Sequence, residues 1–466
     1  MTRSSLRALP AVETLLRHDA LADALRTLPR TLVVGAVRAT LADARATLTA
    51  GRKSAAAPSP DALAVAAAVR ARADATPQLR RVLNATGIVL HTNLGRAPLA
   101  ESARRAVAEV AAGYASLEYD LESGRRGDRG LGVERALARL TGAEAAAVVN
   151  NGAAAVLLAL SALAAGRKVI VSRGELVEIG GSFRVPEIME KSGATLLEVG
   201  ATNRTHLRDY EKALERHDDV AAILRVHPSN FRVEGFTARP ELRALAKLAL
   251  AHKVPLIEDL GSGALVDLAE FGLEHEPTVG ESLAAGADVV TCSGDKLLGG
   301  AQAGLVLGAK KHLARIRKDP FARAMRADKL ALAALEATLL LYADPARAKA
   351  EIPVLAALHV SAAALRERAE RLAAELTARV SGLSARIGEG AGEVGGGSLP
   401  RTALRGPVVE LSHATLGAAE LERRARAAQP PVIGTVKANR FRLDPRTLTE
   451  TEVGMAATAL AKAWSA

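Results

Sequence analysis

The pattern of hydrophobic positions changes character after the first 75 residues of this 466-residue chain. Between residues 6 and 48, apolar positions recur at helical spacing and are interrupted by Pro10 and Pro29, which predicts several short helices. A stretch rich in Ala, Pro and Ser at 50–60 is typical of a linker, and a further helix is predicted over 61–75. Residues 1–75 are therefore expected to form a helical module with a connector.

From Val82 onward, short apolar runs rich in β-forming residues alternate with helical patterns. The runs lie at 145–149, 168–171, 195–199, 220–226, 254–258, 289–292 and 304–308. This alternation predicts an α/β domain over residues 76–343 with a mainly parallel central sheet. Sheets of this kind bind ligands at the carboxyl ends of their strands.

The last part of the chain, residues 344–466, is expected to form a smaller α/β domain. It combines a long predicted helix, a flexible glycine-rich segment, two candidate strands and a closing helix. These elements are predicted at 352–380, 388–397, 408–411 together with 440–443, and 449–466, respectively.

The composition describes a globular protein, with 49% hydrophobic and 24% charged residues. The only cysteine, Cys292, excludes an internal disulfide and a cysteine-rich zinc site, and no metal site is expected. The N-terminus lacks the apolar core of a signal peptide, and no apolar run is long enough to cross a bilayer. A cytoplasmic location is therefore expected.

The formal net charge of +11 is unevenly distributed. Residues 1–80 contain twelve Arg or Lys against six Asp or Glu, so just over half of the excess lies in about a sixth of the chain. A compact basic module favours a polyanionic partner such as nucleic acid. The alternative is a solvated helical bundle that is basic without such a partner.

One lysine stands out in the stretch Ser293-Gly-Asp-Lys296-Leu-Leu-Gly-Gly300, which follows the apolar run 287–292. A strand that ends in this turn presents a single amine with small residues around it. Such an amine suits a lysine that holds an aldehyde cofactor as a Schiff base. The alternative is a surface lysine in a loop.

A candidate carboxylate, Asp259, ends the apolar run 254–259 and precedes Lys296 by 37 residues. One strand–helix–strand excursion of that length can bring two strand ends side by side. Pyridoxal phosphate needs a carboxylate to keep its ring nitrogen protonated, and Asp259 is the candidate for it. Alternatively, Asp259 caps the following turn.

The segment 150–155, Asn-Asn-Gly-Ala-Ala-Ala, predicts a glycine-bearing turn that enters a helix and can bind phosphate. Gly152, Ala153 and Ser293 are assigned to the phosphate. The segment His227-Pro-Ser-Asn230 follows another strand, and either His227 or Asn230 could contact the cofactor ring oxygen. A turn-forming role for these two residues remains the alternative.

Three arginines are candidates for binding an anionic co-substrate. Arg96 precedes Ala97-Pro98, where proline suits the first turn of a helix, and an arginine beside a helix N-terminus and two glycines can hold a small oxyanion. Arg323 and Arg326 are three residues apart and are predicted to share a helix face. Ordinary surface arginines are the alternative for this pair.

The motifs at 82–96, 173–184 and 293–300 together resemble the bacterial selenocysteine synthase family, the L-seryl-tRNA(Sec) selenium transferases. The resemblance runs from the N-terminal module to the C-terminus. It implies a fold-type I pyridoxal phosphate enzyme that assembles as a ring of five dimers. Lys296 matches the family's Schiff-base lysine, and Arg96, Arg323 and Arg326 match the arginines assigned to the selenium donor.

The resemblance also implies the reaction. L-Seryl-tRNA(Sec), recognised by the basic module, would lose water to give an aminoacrylyl group, and selenium from selenophosphate would add to yield L-selenocysteinyl-tRNA(Sec). No DNA or membrane partner is expected. Two alternatives remain: a related pyridoxal enzyme that acts on a free amino acid or amino sugar phosphate, and an RNA-binding or scaffolding protein with a vestigial pocket.

Overall fold

A computed structural model describes residues 7–50, 57–179, 183–400 and 402–465. Part of the predicted linker (51–56) and part of the 173–184 motif (180–182) lie outside the described residues. The chain divides into two compact units, Met1–Arg81 and Val82–Ala466. Within the described residues, no helix is long and apolar enough to cross a membrane.

The first unit is helical, as predicted. Its helices are α1 (Val12–Leu16), α2 (Asp19–Thr27), α3 (Arg30–Thr49) and α4 (Pro60–Ala75). Leu15, Leu21, Val37 and Leu63 are buried in one core, so the apolar stripes of all four helices face each other. α4 begins where Ser59 accepts a hydrogen bond from the Ala62 amide at 3.1 Å.

The second unit contains the remaining helices and all strands of the described residues. Its helices are α5 (Glu101–Ala111), α6 (Leu131–Thr141), α7 (Gly152–Ala164), α8 (Val185–Lys191), α9 (Leu207–Arg216), α10 (Leu242–Ala251), α11 (Val279–Ala284), α12 (Lys310–Ile316), α13 (Pro320–Ala324), α14 (Lys329–Leu341), α15 (Pro345–Glu351), α16 (Pro353–His359), α17 (Ala362–Arg379), α18 (Ala418–Ala427) and α19 (Glu450–Trp464). Its strands are β1 (Leu83–Asn84), β2 (Ile88–Leu90), β3 (Ala145–Val149), β4 (Lys168–Ser172), β5 (Glu178–Ile179), β6 (Phe183–Arg184), β7 (Thr195–Val199), β8 (Val220–Val226), β9 (Leu256–Gly261), β10 (Val289–Ser293), β11 (Gly304–Gly308), β12 (Leu383–Gly395), β13 (Ala403–His413), β14 (Val432–Ile433), β15 (Thr435–Lys437) and β16 (Arg440–Leu443).

The central sheet has the order β3-β11-β10-β9-β8-β4-β7. Every pair is parallel except those of β11, which runs antiparallel to β10 and β3. The side chains of successive residues of β10 point to opposite faces of the sheet. Val289 belongs to a hydrophobic core with α7 and α12, and Val290 belongs to another with α6 and α14. Helices therefore cover both faces, which confirms the predicted α/β class with a mainly parallel sheet.

The C-terminal sheet has the order β15-β16-β13-β12-β2, and β1 pairs separately with β14. Strands near the start of this unit thus pair with strands near the end of the chain. The candidate strands at 408–411 and 440–443 and the closing helix are confirmed as β13, β16 and α19. The limits proposed for the large and small domains stay a prediction.

Two predictions about this region are wrong. The glycine-rich segment 388–397 is not a flexible loop, since most of it belongs to β12. Its glycines serve close packing: a Cβ on Gly390 would lie 2.3 Å from Val408 Cγ1 on the neighbouring strand. The predicted helix over 352–380 is interrupted between α16 and α17, where Ser361 caps α17 by accepting from the Ala364 amide at 3.2 Å.

Candidate active site

Lys296 and Asp259 lie at one edge of the central sheet. Asp259 is near the end of β9, and Lys296 follows the end of the parallel neighbour β10 by three residues. Both side chains are buried, and Thr291 Oγ1 of β10 donates a hydrogen bond of 2.9 Å to Asp259 Oδ1. The fold therefore brings the predicted amine and carboxylate to the ends of neighbouring parallel strands, where a Cβ on Gly261, two residues after Asp259, would lie 3.9 Å from Lys296 Nζ.

Burial dominates the electrostatics of this pair. Burial lowers the pKa of the Lys296 ammonium from its ordinary value, and the Asp259 carboxylate nearby opposes that effect. Burial also raises the pKa of Asp259, while the Thr291 hydroxyl and the Lys296 charge act in the opposite direction. The consequence is an amine that loses its proton more easily than an exposed lysine, which a Schiff-base nucleophile requires.

The predicted phosphate turn lies between β3 and α7. Helix α7 begins at Gly152, and Asn151 Oδ1 caps it by accepting from the Ala154 amide at 2.9 Å. A Cβ on Gly152 would lie 2.4 Å from Ser293 Oγ, so the absence of a side chain opens a cradle beside the end of β10. The helix N-terminus, with Gly152 and Ala153 in its first turn, and the Ser293 hydroxyl form one small donor-rich site.

Arg96 belongs to the neighbourhood of Lys296. Its Nη1 donates to Asp295 Oδ2 at 2.7 Å, and its charge contributes to lowering the pKa of Lys296. The predicted helix N-terminus at Arg96 is wrong: a short 3-10 helix ends at Leu94, Arg96 has a φ of 60°, and α5 begins only at Glu101. The residues after Pro98 continue outside a helix until α5.

Arg323 and Arg326 lie beside β3 but do not share a helix face. Helix α13 ends at Ala324, and Arg326 beyond it pairs with Val149 in an antiparallel bridge. Both arginines line a cavity of about 250 Å³, and Arg326 Nη1 donates to Glu118 Oε1 at 2.9 Å. Among the described residues, no hydrogen bond or ion pair joins either arginine to Lys296 or Arg96.

His227 and Asn230 flank the site at the end of β8. The His227 amide donates to the Asp259 carbonyl at 2.9 Å, and its Nε2 lies 3.2 Å from Glu276 Oε1. Asn230 Nδ2 donates to the Glu178 carbonyl at 2.9 Å, while its Oδ1 is buried without a partner within the described chain. Both residues remain candidates for the cofactor ring oxygen.

A buried ion network that the sequence analysis missed supports this edge of the sheet. Glu175 Oε2 accepts from the Val226 amide at 3.0 Å, and its Oε1 accepts from Arg239 Nε at 3.0 Å. Arg225 Nε lies 3.2 Å from the same carboxylate. These contacts connect the turn at 173–175 to the end of β8, and His227 is the next residue after that strand. In the sequence, the only sign of this network was the presence of an acidic residue, Glu175, inside the 173–184 motif.

Asp295 was also missed as a partner. The sequence shows it next to Lys296, but its ion pair with Arg96 joins residues 199 positions apart. The side chain of Asp295 is only 8% exposed, whereas that of Arg96 is 32% exposed, so the carboxylate is shielded from water and the guanidinium is partly solvated. Asp295 therefore holds the guanidinium of Arg96 near Lys296, the candidate Schiff-base lysine.

The donors and acceptors at this edge fit pyridoxal phosphate. A buried amine of lowered pKa suits the aldehyde, a buried carboxylate suits a protonated ring nitrogen, and the cradle at Gly152 suits a phosphate. The amine and the carboxylate lie at the ends of two strands of the central sheet, and the phosphate cradle lies at the start of the helix that follows a third strand, β3.

The overall fold is that of the fold-type I class of pyridoxal phosphate enzymes. A solved structure of D-glucosaminate-6-phosphate ammonia-lyase shares it, with a TM-score of 0.57 and 22% sequence identity over 83% of this chain and 97% of that one. At this identity, the likeness concerns the fold alone.

The family follows from the sequence comparisons. Residues 82–449 match the family described as L-seryl-tRNA selenium transferase, and residues 6–45 match the one described as selenocysteine synthase N terminal. The L-seryl-tRNA(Sec) selenium transferase of Nitratidesulfovibrio vulgaris is 50% identical over 468 residues, and that of Solidesulfovibrio magneticus is 51% identical over 464 residues. Both alignments cover 98% of each chain. The chain belongs to the L-seryl-tRNA selenium transferase family, which confirms the resemblance.

Proposed function

We propose that this protein converts L-seryl-tRNA(Sec) into L-selenocysteinyl-tRNA(Sec), with pyridoxal phosphate as its cofactor and selenophosphate as the selenium donor. Relatives at 50% and 51% identity over nearly the whole chain carry the name of this activity. The structural observation that carries the proposal is the buried Lys296 beside Asp259 at the ends of two parallel strands.

The residues of the site have distinct proposed roles toward the cofactor. Lys296 would hold its aldehyde, Asp259 its ring nitrogen, and Gly152, Ala153 and Ser293 its phosphate, with His227 or Asn230 at the ring oxygen. When bound, the cofactor supplies an electron sink that allows the seryl α-proton and β-hydroxyl to leave.

Lys296 is also the proposed base for the seryl α-proton. Burial lowers the pKa of its Nζ, so the free amine is available at a lower pH than for an exposed lysine. Arg96 keeps a positive charge close to that amine, and its Nε is buried without a partner within the described chain. A guanidinium with an unused donor suits an anionic phosphorylated nucleophile.

The N-terminal module is the proposed tRNA-binding part. Its residues 6–45 match a family description of their own, and its surplus of basic over acidic residues suits an RNA partner. We further propose a cytoplasmic location and assembly as a ring of five dimers. Light scattering would then give about ten times the 48.4 kDa mass of one chain.

The decisive experiment is incubation of the purified holoprotein with seryl-tRNA(Sec) and selenophosphate, followed by identification of the esterified amino acid. We expect selenocysteine on the tRNA. Recovery of unchanged serine, combined with turnover of a free amino acid or amino sugar phosphate, would favour the alternative pyridoxal enzyme. A preparation that binds tRNA but no cofactor would favour the scaffolding alternative.

The role of the arginine pair requires a separate experiment. Replacement of Arg323 by Ala should raise the selenophosphate concentration needed for half-maximal rate while water elimination from seryl-tRNA continues. Arg243 is a matched control, because it is an exposed arginine of α10 that belongs to none of the candidate site residues. An unchanged selenophosphate requirement in Arg323→Ala would remove this residue from the donor site.

A further inference from the structure

A second cavity lies between the loop that follows β8 and the segment that follows β12. Its volume is about 210 Å³, and we call it the Ser398 pocket. It is lined by Asn230, Glu393, Gly395, Gly397, Ser398, Leu399, Pro400 and Thr402. Apart from Asn230, none of these residues has been assigned a role above.

Three polar side-chain atoms in the Ser398 pocket are buried and unpaired within the described chain. They are Asn230 Oδ1, Ser398 Oγ and Thr402 Oγ1. Ser398 is only 1% exposed. Buried polar atoms are nearly always hydrogen-bonded in native proteins, to protein, ordered water or ligand, so three such atoms around one cavity make it a candidate site for a polar group. The amide oxygen accepts hydrogen bonds, and the two hydroxyls both accept and donate.

Two lining residues of the Ser398 pocket, Asn230 and Leu399, connect it to the surroundings of Lys296. A Cβ on Gly261 would lie 3.6 Å from Ser229 Oγ and 3.9 Å from Lys296 Nζ, and Ser229 immediately precedes Asn230. On the other side, Leu399 of the pocket packs in one core cluster with Leu297, the residue after Lys296. The pocket is therefore linked to the surroundings of Lys296 through one neighbouring residue on each side, Ser229 and Leu297.

We propose that the Ser398 pocket binds the terminal ribose of the seryl-tRNA, through its free hydroxyl. This inference rests on the proposed function. In seryl-tRNA, the seryl carbonyl carbon is esterified to an oxygen of that ribose, so the ribose is the part of the tRNA nearest to the serine. A ribose hydroxyl is both donor and acceptor and thus pairs with an amide oxygen and two hydroxyls. The carboxylate of Glu393 at the same cavity offers a further acceptor.

The proposal explains how the enzyme distinguishes an esterified serine from free serine or a simple ester. The sugar would contribute affinity only when the seryl group is esterified to a ribose. A site with polar groups built for a hydroxyl discriminates against a substrate that lacks it, because those groups are then left unpaired.

The test uses the holoprotein and three serine esters: seryl adenosine, the seryl ester of methyl riboside, and serine methyl ester. Their half-saturating concentrations are measured from the change in the absorbance band of the bound cofactor. In the wild type, both ribose esters should saturate at lower concentration than the methyl ester. Thr402→Val and Ser398→Ala should each raise the value for the ribose esters about fivefold, the effect of one lost hydrogen bond, and leave the methyl ester unchanged.

Controls separate this effect from damage to the fold. Ser384 lies near the start of β12, whereas the pocket lies at and beyond the end of that strand, and Ser384 is exposed, so Ser384→Ala should leave all three esters unchanged. Thr402→Ser restores the hydroxyl and should restore the ribose preference. Should Ser398→Ala fail to fold, the partly exposed Thr402 carries the test alone, with thermal unfolding as the check of the fold.

Several outcomes would overturn the ribose assignment. One is a variant that weakens all three esters equally, which would place the serine itself at these hydroxyls. Another is a preference for seryl adenosine alone, which would assign the pocket to the base. A wild type that converts seryl-tRNA but shows no ribose preference also overturns it. A wild type that does not convert seryl-tRNA contradicts the proposed function instead, and the two failures are thereby distinguished.

Discussion

The properties of Lys296 arise from its immediate surroundings. The amine is buried near two carboxylates, Asp259 and Asp295, and one guanidinium, that of Arg96. Desolvation favours the neutral amine, whereas the carboxylates favour the charged form, and desolvation is the largest effect. Asp295 is itself paired with Arg96, so Asp259 is left as the principal carboxylate acting on the amine.

Replacement of Lys296 by Ala should abolish turnover, because both the attachment point of the cofactor and the base for the α-proton are lost. Borohydride reduction of the wild-type holoprotein, followed by peptide mapping, should place the cofactor on residue 296. The control is Lys310→Ala, since Lys310 is an exposed lysine at the start of α12. Retained turnover in Lys296→Ala, or a label on another lysine, would contradict the assignment.

Capture of pyridoxal phosphate by the apoprotein should depend on pH in a way that reports the lowered pKa of Lys296. Only the neutral amine attacks an aldehyde, so the capture rate should rise with pH. Because burial lowers the pKa of this side chain, the midpoint should lie below the ordinary value of 10.5. Stopped-flow absorbance measures the rate, and Lys296→Ala gives the background from exposed lysines. A midpoint at or above 10.5 would contradict the argument.

At the scale of elements, the start of α7 and the end of β10 meet so closely that a side chain at position 152 would displace the Ser293 hydroxyl. Ser293 Oγ occupies the place where a side chain would begin. This contact joins a helix N-terminus, whose amides bind anions, to a strand end that leads to Lys296. The phosphate and aldehyde ends of one cofactor are thereby held by neighbouring elements.

Gly152→Ala should weaken cofactor binding about tenfold, because the new methyl group displaces the Ser293 hydroxyl and costs one charge-assisted hydrogen bond. Ser293→Ala should have a similar effect, and the double variant should be no worse than either single one, since all three lose the same bond. Equilibrium dialysis of the cofactor measures the affinities.

The matched control is Gly454→Ala within α19, where a Cβ would meet nothing within 4 Å. It should leave cofactor affinity unchanged and raise the free energy of unfolding by about 0.5–1 kcal/mol, because alanine favours helix over glycine. Equal losses of cofactor affinity in both glycine variants would show that the effect at position 152 is not local.

At the scale of the whole molecule, the two compact units differ in composition and proposed role. The unit Met1–Arg81 is all-helical within its described residues, and residues 1–80 contain twice as many basic as acidic residues. The unit Val82–Ala466 contains every candidate residue for the cofactor. The division of the chain thus parallels the proposed division between RNA recognition and chemistry.

Removal of residues 1–81 should therefore abolish or strongly weaken tRNA binding while the cofactor absorbance band is retained. Filter binding or fluorescence anisotropy measures the first quantity, and the absorbance spectrum the second. A truncated chain with unchanged tRNA affinity would refute the role of the module.

A finer test keeps the full chain and removes only three exposed basic side chains. Arg30, Arg38 and Arg45 of α3 are exposed, and their joint replacement by Ala should preserve the fold of the module. If they contact phosphates, the slope of log affinity against log salt should fall by roughly 2–3, about one for each lost contact. An unchanged slope would place the RNA contacts elsewhere.

The sequence by itself determined the alternation of strands and helices, and with it the fold class and the residues at strand ends. All seven strands of the central sheet were found, because each is a short, mainly apolar run bounded by polar turns. Lys296, Asp259 and Gly152 could be singled out for the same reason: each is a chemically distinctive residue at a recognisable end of such a run.

Only the tertiary structure decided which distant residues meet. Arg96 and Asp295 are 199 positions apart, and Glu175 meets Val226 across 51 positions, so no local pattern reports either contact. The glycines of β12 were misjudged because glycine permits both mobility and close packing, and the neighbouring strand determines which applies. Local periodicity fixes elements within a few turns of chain, whereas charge pairing and close packing depend on neighbours that only the assembled fold supplies.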